Sequence, residues 1–313
     1  MSSATVSTTD RVGYLGPAGT FSEQALLTQP DLAAAQRVPF DSFADLLFAV
    51  AEGSLDLGFV AVENAIEGSV NITMDTLAFD VDLLIRREVV LPVEMNLMVR
   101  PGTDLSEITQ VASFPHAYAQ CRTWLRANLP NVELVATTST AAAAETVATS
   151  GDPRVAAIAN ARAADVYGLE ITARDIEDHP ENATRFALVA RSGVPKATGH
   201  DKTSVVVFQR ADTPGSLLSI LQEFTARRIN LSLLLSRPTK TSLGDYCFLI
   251  DADGHLSDDV MADCLHALKV KQDVKFLGSY PADGPRGAEV RGLADAHQAV
   301  ADQWLADLRS QVS

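Results

Sequence analysis

Four short apolar segments of this chain each end at polar residues, and a helical pattern or a helix-capping residue follows. These segments are 57–62, 111–113, 132–136 and 155–159. Strands that alternate with helices build an α/β sheet, and ligands of such sheets gather at the carboxyl ends of the strands. The amide and hydroxyl groups that follow these segments therefore predict an α/β domain with a polar crevice.

The composition excludes one class of partner. With 313 residues, of which 47% are hydrophobic, the chain is long enough for about two domains, each with its own core. Its formal net charge of −15 at pH 7 argues against nucleic-acid binding, which needs clustered Lys and Arg to replace cations on the phosphate backbone. We therefore expect no nucleic-acid partner.

The cysteines and the apolar runs bear on metals and compartment. Cys121, Cys247 and Cys264 lie far apart, with no neighbouring His at metal-ligand spacing, so we expect no metal and a reducing compartment. Residues 1–10 lack the basic-then-apolar pattern of a signal peptide, and no apolar run approaches the roughly 20 residues that span a bilayer. The sequence predicts a cytoplasmic protein with no membrane partner.

Residues 203–283 predict a second domain of a different kind. Expected strands and helices follow one another there in the order β-α-β-β-α-β, the ferredoxin-like split, which often pairs edge to edge. Residues 192–202 contain two glycines and a proline without apolar periodicity, so they predict a linker after a first domain at 10–191. Apolar residues at helical spacing predict a helical tail over 284–313.

The turn at residues 16–23 is a candidate anion site. It contains two glycines and a proline after the apolar strand 12–15, and Thr20 or Ser22 can cap the helix that follows. Backbone amides at the start of that helix would face the mouth of the turn and suit an anion. A capped strand-to-helix turn without a ligand is the alternative.

Glu63 and Asn64 stand at the carboxyl end of the fully apolar strand 57–62. Because ligands of open α/β sheets gather at that end, both side chains are candidate site residues. The alternative for Glu63 is to cap a helix that begins near Ser69 or Asn71.

The segment 182–186 combines an amide, a hydroxyl, a guanidinium and an aromatic ring just before the apolar run 187–190, which predicts a buried strand. If the strand includes this segment, Thr184 and Phe186 point to one side and Arg185 to the other. A loop would bring all three together. An ordinary polar segment entering a core strand is the alternative.

Several separated motifs between about residues 12 and 280 resemble those of monofunctional prephenate dehydratases with a carboxyl-terminal ACT domain. They are the turn 16–22, Glu63-Asn64 with Gly68, Ser113 with Pro115 and Gln120-Cys121, Ser139-Thr140-Ala141, Asn182 with 184–186, and the segments 214–217 and 236–238. The resemblance implies a bilobed, periplasmic-binding-protein-like α/β catalytic domain with a cleft, followed by a ferredoxin-like βαββαβ ACT domain. It implies the substrate prephenate, the product phenylpyruvate and the loss of CO2 and water. Formation of the aromatic ring drives this reaction, so we expect no cofactor.

Within that reaction we expect Thr184 to donate to the departing hydroxyl, as the resemblance also implies, and Arg185 to grip a substrate carboxylate with its planar fork. Phe186 would cover the ring and exclude water. The structural alternatives are a hydroxyl bonded to backbone, an ion pair with an acidic residue and a core aromatic, respectively. Glu63 would be protonated, turn away, or orient Thr184 or a water, and these options stay open.

Other polar side chains at the strand ends would orient the carboxylates and the keto group of the substrate. Besides Asn64, the expected substrate-binding residues are Thr20, Phe21, Ser113, Gln120, Ser139, Thr140, Asn160 and Asn182. The family has His after the serine at 113, whereas this chain has Phe114 and places His116 two residues later. We therefore assign no role to a histidine.

The resemblance also implies control by an amino acid, phenylalanine with tyrosine as the alternative effector, bound between paired ACT domains. The expected effector-binding residues are Thr213, Pro214, Gly215, Ser216, Leu217, Leu218, Asn230, Leu231, Ser232, Leu235, Ser236, Arg237 and Pro238. We expect a homodimer through these domains, with a tetramer or a module that only dimerises as alternatives. Leu235 stands where the family has Glu, and loss of that carboxylate could weaken or redirect the control.

A rival function comes from a different class of protein. A bilobed α/β binding fold fused to an ACT sensor could be an amino-acid-binding regulator without catalysis, because crevices that hold carboxylates also suit simple capture. The combination of Thr184, Arg185 and Phe186 with Glu63 and Asn64 favours the enzyme, since mere capture needs no hydroxyl at a leaving group.

Overall fold

The computed structural model describes residues 6–210, 213–239 and 245–283, together with 300, 303, 304 and 307–310. These residues form two compact units that divide between Gly193 and Val194. Most of the predicted helical tail at 284–313 lies outside the described residues. In the described ranges, no helix is both long and apolar enough to cross a membrane.

The first unit begins with a lobe whose sheet is completed by a strand from much later in the chain. The strands are β1 (Arg11–Leu15), β2 (Gln36–Phe40), β3 (Leu57–Asn64), β4 (Gly68–Ser69), β5 (Leu84–Pro92) and β11 (Ala183–Ala190). Their order is β2-β1-β3-β11-β5, with β4 paired to β3, and β11 runs antiparallel to both of its neighbours. The helices are α1 (Phe21–Leu27), α2 (Pro30–Ala34), α3 (Phe43–Ala51) and α4 (Asn71–Asp75), the last continued by a π-helical turn at Thr76–Asp80.

Helix α3 shows how sequence periodicity becomes packing in this lobe. Ser42 caps the helix by accepting a hydrogen bond from the Asp45 amide, and Leu46, Leu47 and Val50 are fully buried, as their spacing predicts. Strand β3 has a glycine, Gly58, where it packs against this helix. A Cβ added at Gly58 would lie 2.6 Å from the Cδ2 atom of Leu46, so the missing side chain lets the helix approach the sheet closely.

The second lobe is a five-stranded sheet made of consecutive strands. They are β6 (Asn96–Val99), β7 (Gln110–Ser113), β8 (Glu133–Ala136), β9 (Val155–Ala159) and β10 (Glu170–Ala173), in the order β10-β6-β9-β7-β8. The helices are α5 (Pro115–Ala119), α6 (Arg122–Asn128), α7 (Thr140–Ser150) and α8 (Ala161–Tyr167), with a 3₁₀ turn at Leu105–Glu107. Gln120 and Cys121 separate α5 from α6.

The chain crosses between the two lobes twice, at 93–95 and at 174–182. The two crossings are hydrogen-bonded to each other: the Val93 amide donates to the Asn182 carbonyl at 2.8 Å, and the Ile176 amide donates to the Met95 carbonyl at 2.9 Å. Two α/β lobes joined by paired crossings form the predicted bilobed, periplasmic-binding-protein-like architecture, which is confirmed.

The second unit contains the predicted ferredoxin-like module. Its strands and helices are β12 (Asp201–Phe208), α9 (Ser216–Ala226), β13 (Leu231–Pro238), β14 (Tyr246–Asp253), α10 (Asp259–Lys271) and β15 (Asp273–Pro281). The antiparallel sheet has the order β13-β14-β12-β15, and the core packs both helices on one of its faces, so the predicted fold is confirmed. Strand β12 begins inside the predicted linker because Asp201 and Lys202 already pair with Pro281 and Tyr280.

Candidate active site

A cavity of about 340 Å³ lies where the two lobes meet, beside the paired crossings. Both lobes and both crossings contribute to its wall, which mixes apolar side chains with amides and hydroxyls. The residues that line it are Leu15, Thr20, Phe21, Ser22, Asn64, Val93, Met95, Phe114, His116, Ala117, Gln120, Thr138, Ser139, Thr140, Asn182 and Thr184. Eight of the residues predicted for the site are therefore brought together: Thr20, Phe21, Asn64, Gln120, Ser139, Thr140, Asn182 and Thr184.

Asn64 is the central hydrogen-bonding residue of the cavity. Its Oδ1 atom accepts from the backbone amides of Ile66 at 3.0 Å and Glu67 at 2.9 Å, and a backbone amide can only donate. These two bonds fix the orientation of the side-chain amide, so Nδ2 faces the other way. There it approaches the Oδ1 atom of Asn182 at 2.9 Å and the hydroxyl of Thr184 at 3.0 Å.

The orientation of Asn64 decides what the Thr184 hydroxyl can do. Since Nδ2 of Asn64 is a donor, the Oγ1 atom of Thr184 is the acceptor in this hydrogen bond. The hydroxyl proton of Thr184 therefore stays available for another oxygen, and Thr184 lines the cavity. Thr184 can therefore donate a hydrogen bond into the cavity.

The network continues from Asn182 into the second lobe. Nδ2 of Asn182 donates to Oε1 of Gln120 at 3.0 Å, and Nε2 of Gln120 donates to Oε1 of Glu67 at 3.2 Å. The other carboxylate oxygen of Glu67 lies 3.1 Å from Nδ1 of His116. Gln120 thus joins the Asn64 and Thr184 side of the cavity to the hydrogen-bonded side chains of Glu67 and His116.

Two helix amino termini reach the same cavity. Ser139 caps α7, accepting a hydrogen bond from the Ala142 amide at 3.0 Å, and Thr140 is the first residue of that helix. The first-turn amides of an eleven-residue helix favour an anion. Thr20 caps α1 and its own hydroxyl donates to the Leu15 carbonyl at 2.8 Å, so that side chain is fully engaged in holding the turn.

The structure places Arg185 between two carboxylates. Its Nε atom lies 3.1 Å from Glu63 and its Nη1 atom 3.2 Å from Glu88, whose side chain is only 2% exposed. Alternation along β11 directs Arg185 away from the face that carries Thr184, and neither Arg185 nor Glu63 lines the cavity. Arg185 is thus the ion-paired residue of the structural alternative, and Glu63 turns toward it.

Phe186 is likewise placed in the core and does not line the cavity. Its side chain is 1% exposed and stacks on Phe59, with the ring centroids 5.2 Å apart and the planes 8° from parallel. It shares a face of β11 with Thr184 but lies two residues further into the sheet. Phe186 therefore supports the strand that presents Thr184.

Two other predicted residues lie beneath the cavity wall. Ser113 is buried and donates to the Ile158 carbonyl at 3.0 Å, which ties β7 to β9. Asn160 is fully buried and caps α8 by accepting from the Ala163 amide at 2.9 Å. Its Nδ2 atom has no hydrogen-bond partner in the described part of the chain. Both side chains, predicted to bind the substrate, form hydrogen bonds within the second lobe.

Several lining residues were not singled out from the sequence. Val93 and Met95 belong to the first crossing. In the sequence, an apolar crossing cannot be distinguished from the end of an apolar strand. Phe114, stacked on His116 with ring centroids 5.4 Å apart, covers one edge of the cavity. The sequence assigns no role to His116 because it is displaced by two residues, but this residue lies in the first turn of α5 and lines the cavity.

A second cavity, of about 470 Å³, lies in the ferredoxin-like module between the start of α9 and the strands β13 and β14. Of the predicted effector-binding residues, Gly215, Ser216, Leu217, Leu218 and Ser236 line it; the other lining residues are Gln209, Leu221, Tyr246 and Phe248. Gly215 has φ of 90°, a left-handed conformation that suits glycine at the start of this helix.

The remaining predicted effector residues lie elsewhere within one chain. Asn230, Leu231 and Ser232 are at the opposite end of β13 from Ser236, and Asn230 donates to Asp253 at 2.8 Å. Alternation puts Leu235 and Arg237 on the other face of β13 from Ser236. Thr213, Pro214 and Pro238 flank the cavity in sequence without lining it.

Comparisons with known proteins also separate the chain into two parts. Residues 12–194 match the family model for prephenate dehydratase, and residues 203–270 match that for the ACT domain. The chain is 42% identical over 313 residues to a prephenate dehydratase of Mycolicibacterium vanbaalenii, covering 95% of this chain and 98% of the relative.

Two solved structures are similar to nearly the whole chain. One is a prephenate dehydratase of Arthrobacter aurescens in complex with L-Phe, with a TM-score of 0.82, 41% identity and coverage of 96% of this chain and 99% of that chain. The other, described as a novel type of quorum quenching acylase, has a TM-score of 0.77, 28% identity and coverage of 87% and 98%. The cavity, the two family models and a relative of 42% identity over almost the full length lead to one conclusion: this chain belongs to the prephenate dehydratase family.

Proposed function

We propose that this protein is a carbon–oxygen lyase that converts prephenate to phenylpyruvate in the cavity lined by Thr184 and Asn64. In this reaction the bond from the ring to its carboxylate breaks, its electron pair forms the aromatic ring, and the ring hydroxyl leaves. The prephenate dianion takes up one proton in total and gives the phenylpyruvate monoanion, CO2 and water. The observation that carries the proposal is the hydrogen bond from Asn64 to Thr184, because it leaves the threonine proton free for the departing hydroxyl.

Thr184 is the proton donor in this proposal. A threonine hydroxyl is a weak acid, so it donates only as negative charge develops on the leaving oxygen. The amide of Asn64, 3.0 Å from Oγ1, stabilises the charge that then develops on Thr184, and this preorganised dipole needs no rearrangement. A proton from water restores Thr184 after the step.

The carboxylates of the substrate meet helix amides and hydroxyls in this cavity. Ser139 and Thr140 place the start of α7 at the wall, where backbone amides favour anions. On the apolar side, Leu15, Val93 and Met95 keep water away from the ring, which favours loss of the carboxylate as uncharged CO2.

The same geometry argues against Thr184 as the nucleophile of an acyl-transfer reaction, the activity given for the acylase relative. Hydrolytic acyl transfer needs a nucleophile beside a general base. Asn64, an amide that cannot take up a proton, is the hydrogen-bond partner of Thr184 among the described residues. Thr184 is therefore arranged to give a proton away and is not activated as a nucleophile.

The test is to mix purified protein with prephenate and to follow phenylpyruvate by its absorbance in alkali. We expect turnover that Thr184→Val abolishes, with a reaction without protein as the control for the spontaneous conversion. No phenylpyruvate above that control would reject the proposal and favour a binding protein without catalysis.

For regulation, we infer that L-phenylalanine binds at the cavity between α9, β13 and β14, as a relative of 41% identity is described in complex with L-Phe. The effector must bind better in one arrangement of the protein in order to change its activity. Calorimetry with phenylalanine and with tyrosine tests this. Heat from phenylalanine that Gly215→Val removes is expected, and no heat from either amino acid would leave a module that only dimerises.

We further propose that catalysis resides in residues 10–191, that 192–202 link them to the regulatory module at 203–283, and that two modules pair to form a homodimer, with a tetramer as the alternative. Ferredoxin-like modules with this strand order often pair edge to edge, which supports the dimer. Sedimentation of the full chain measures the assembly. Three free, buried cysteines support a reducing compartment such as the cytoplasm.

A further inference from the structure

The cavity proposed for prephenate has a charge deficit. Its substrate carries two carboxylates, and the guanidinium expected to hold one of them, on Arg185, is bound by Glu63 and Glu88 outside the cavity. Among the described residues that line the cavity there is no Arg or Lys. Helix amides and hydroxyls favour an anion, but they supply no full positive charge.

Among the described residues that line the cavity, His116 alone has a side chain that can carry a positive charge. Nδ1 of its imidazole is held by Oε2 of Glu67 at 3.1 Å, and the ring of Phe114 stacks against it. Nε2 of His116 has no hydrogen-bond partner in the described ranges. A ring fixed on one side by a carboxylate and on its face by an aromatic ring leaves one N–H to offer to a ligand.

Glu67 itself is fixed by the network that leads to Thr184. One of its oxygens binds His116 and the other accepts from Gln120, which accepts from Asn182, which in turn accepts from Asn64. The position of the imidazole is therefore set by the same chain of hydrogen bonds that orients the proton donor. An anion held by His116 would be held at a defined place relative to Thr184.

We propose that His116 is a substrate-binding residue that holds one carboxylate of the dianion through Nε2, and that Glu67 is the positioning residue that keeps its imidazole in place. This inference rests on the function proposed above. It adds a residue to which the sequence assigns no role, because the imidazole comes from the first turn of α5 and not from the residue after Ser113.

The experiment measures kcat and KM for prephenate in the full-length protein and three variants. His116→Gln keeps a polar side chain but no charge, and His116→Lys restores a cation. His179→Gln is the matched control, because His179 also forms an exposed pair with a glutamate, Glu181, and does not line the cavity. The His116 side chain is 62% exposed, so these variants are expected to fold, and circular dichroism checks this.

We expect His116→Gln to raise KM by about tenfold, as for the loss of one charge-assisted hydrogen bond, with kcat within about threefold of the native value. His116→Lys should recover most of the native KM, and His179→Gln should match the native protein. Raising the salt concentration should raise the KM of the native protein more than that of His116→Gln, because salt screens a charged contact.

A KM for His116→Gln within twofold of the native value, or equal impairment of His116→Gln and His116→Lys, would overturn the inference while leaving the proposed function intact. If the native protein itself forms no phenylpyruvate, the proposed function fails first and the inference fails with it. The two failures are thus told apart by the native protein alone.

Discussion

The side-chain amide nitrogen of Asn64 lies 3.0 Å from the hydroxyl oxygen of Thr184, on the neighbouring strand of the same sheet. The two residues are register partners across β3 and β11, so the contact is set by the pairing of the strands. Most of the expected behaviour of the site follows from the direction of this one hydrogen bond.

Thr184→Val removes the proton donor and keeps the shape of the side chain. We expect kcat to fall by about 10²- to 10⁴-fold, the usual contribution of a positioned acid, with KM changed little. Steady-state kinetics measure both constants. Thr184→Ser, which keeps the hydroxyl, is the matched variant and should retain far more activity. A near-normal kcat in the valine variant would show that Thr184 is not the donor.

Asn64→Asp keeps the volume at position 64 but replaces a donor by an acceptor. The Thr184 hydroxyl would then donate to the new carboxylate, and its proton would no longer be available to the leaving group. We expect kcat to fall by about 10²-fold or more. The activity of this variant should not be rescued by Thr184→Ser. Retained activity would mean that the direction of the Asn64 bond does not matter.

Arg185→Ala should act mainly on stability. It removes the guanidinium that holds two carboxylates, one of them on the nearly buried Glu88. Breaking a buried ion pair from one side costs about 3 kcal/mol or more, so we expect a lower urea midpoint. Arg185→Ala with Glu88→Gln should recover part of that loss, because the buried charge is gone. A large rise in KM without loss of stability would show that Arg185 binds the substrate.

Acid unfolding tests the ion pair between Asp31 and Arg87, whose two contacts are 2.8 and 2.7 Å. The bound guanidinium lowers the pKa of Asp31 from 3.8 to about 2. A depressed pKa in the folded state stabilises above the unfolded pKa, and the stabilisation is lost as the pH falls through the folded pKa. We therefore expect this contribution to be complete above about pH 4 and to disappear toward pH 2.

The variant for this test is Asp31→Asn, with urea unfolding followed from pH 7 to pH 2.5. Its free energy of unfolding should be lower than that of the native protein by about 2 kcal/mol at neutral pH, and this difference should disappear in acid. Asp152 is a matched control because its pKa is also lowered to about 2, by Arg154, but that pair is exposed and screened by solvent. If the stability of Asp152→Asn depended on pH as strongly as that of Asp31→Asn, burial would not explain the contribution of the Asp31–Arg87 pair.

The three cysteines should be unreactive in the folded protein. All are buried, and burial raises the pKa of Cys121 to about 12 and that of Cys264 to about 11. Because the thiolate is the reactive form, we expect almost no reaction with a disulfide reagent at pH 8. In denaturant all three thiols should react. A rapidly reacting thiol in the native state would show that at least one of these buried sites opens to solvent.

The sequence predicted the fold well because local patterns carry it. Helix α3 follows from one buried apolar face, and the ferredoxin-like order follows from alternating strands and helices. The polar strand ends were also informative: Asn64, Ser139 and Thr184 do meet in one cavity, because consecutive strand ends share an edge of a sheet.

What the sequence could not supply was the partner of each charged or aromatic side chain. Arg185 and Phe186 adjoin Thr184 in the chain. Alternation along β11 and its long-range pairing with β3 and β5 place Arg185 in an ion pair and Phe186 in the core. Neither Glu88 nor Phe59 is near them in sequence. His116 was missed for a similar reason, since its contact with Glu67 joins residues 49 positions apart.

The place of β11 between β3 and β5 has a consequence for how the protein is made. On the ribosome, the first lobe emerges with an interior strand missing, and some ninety residues follow before that strand is synthesised. The second lobe has consecutive strands, so it can fold as soon as it leaves the exit tunnel. The first lobe cannot complete its sheet until β11 has been synthesised. Thr184, the proposed proton donor, lies on the strand that completes the first lobe, so the proposed activity requires a finished sheet.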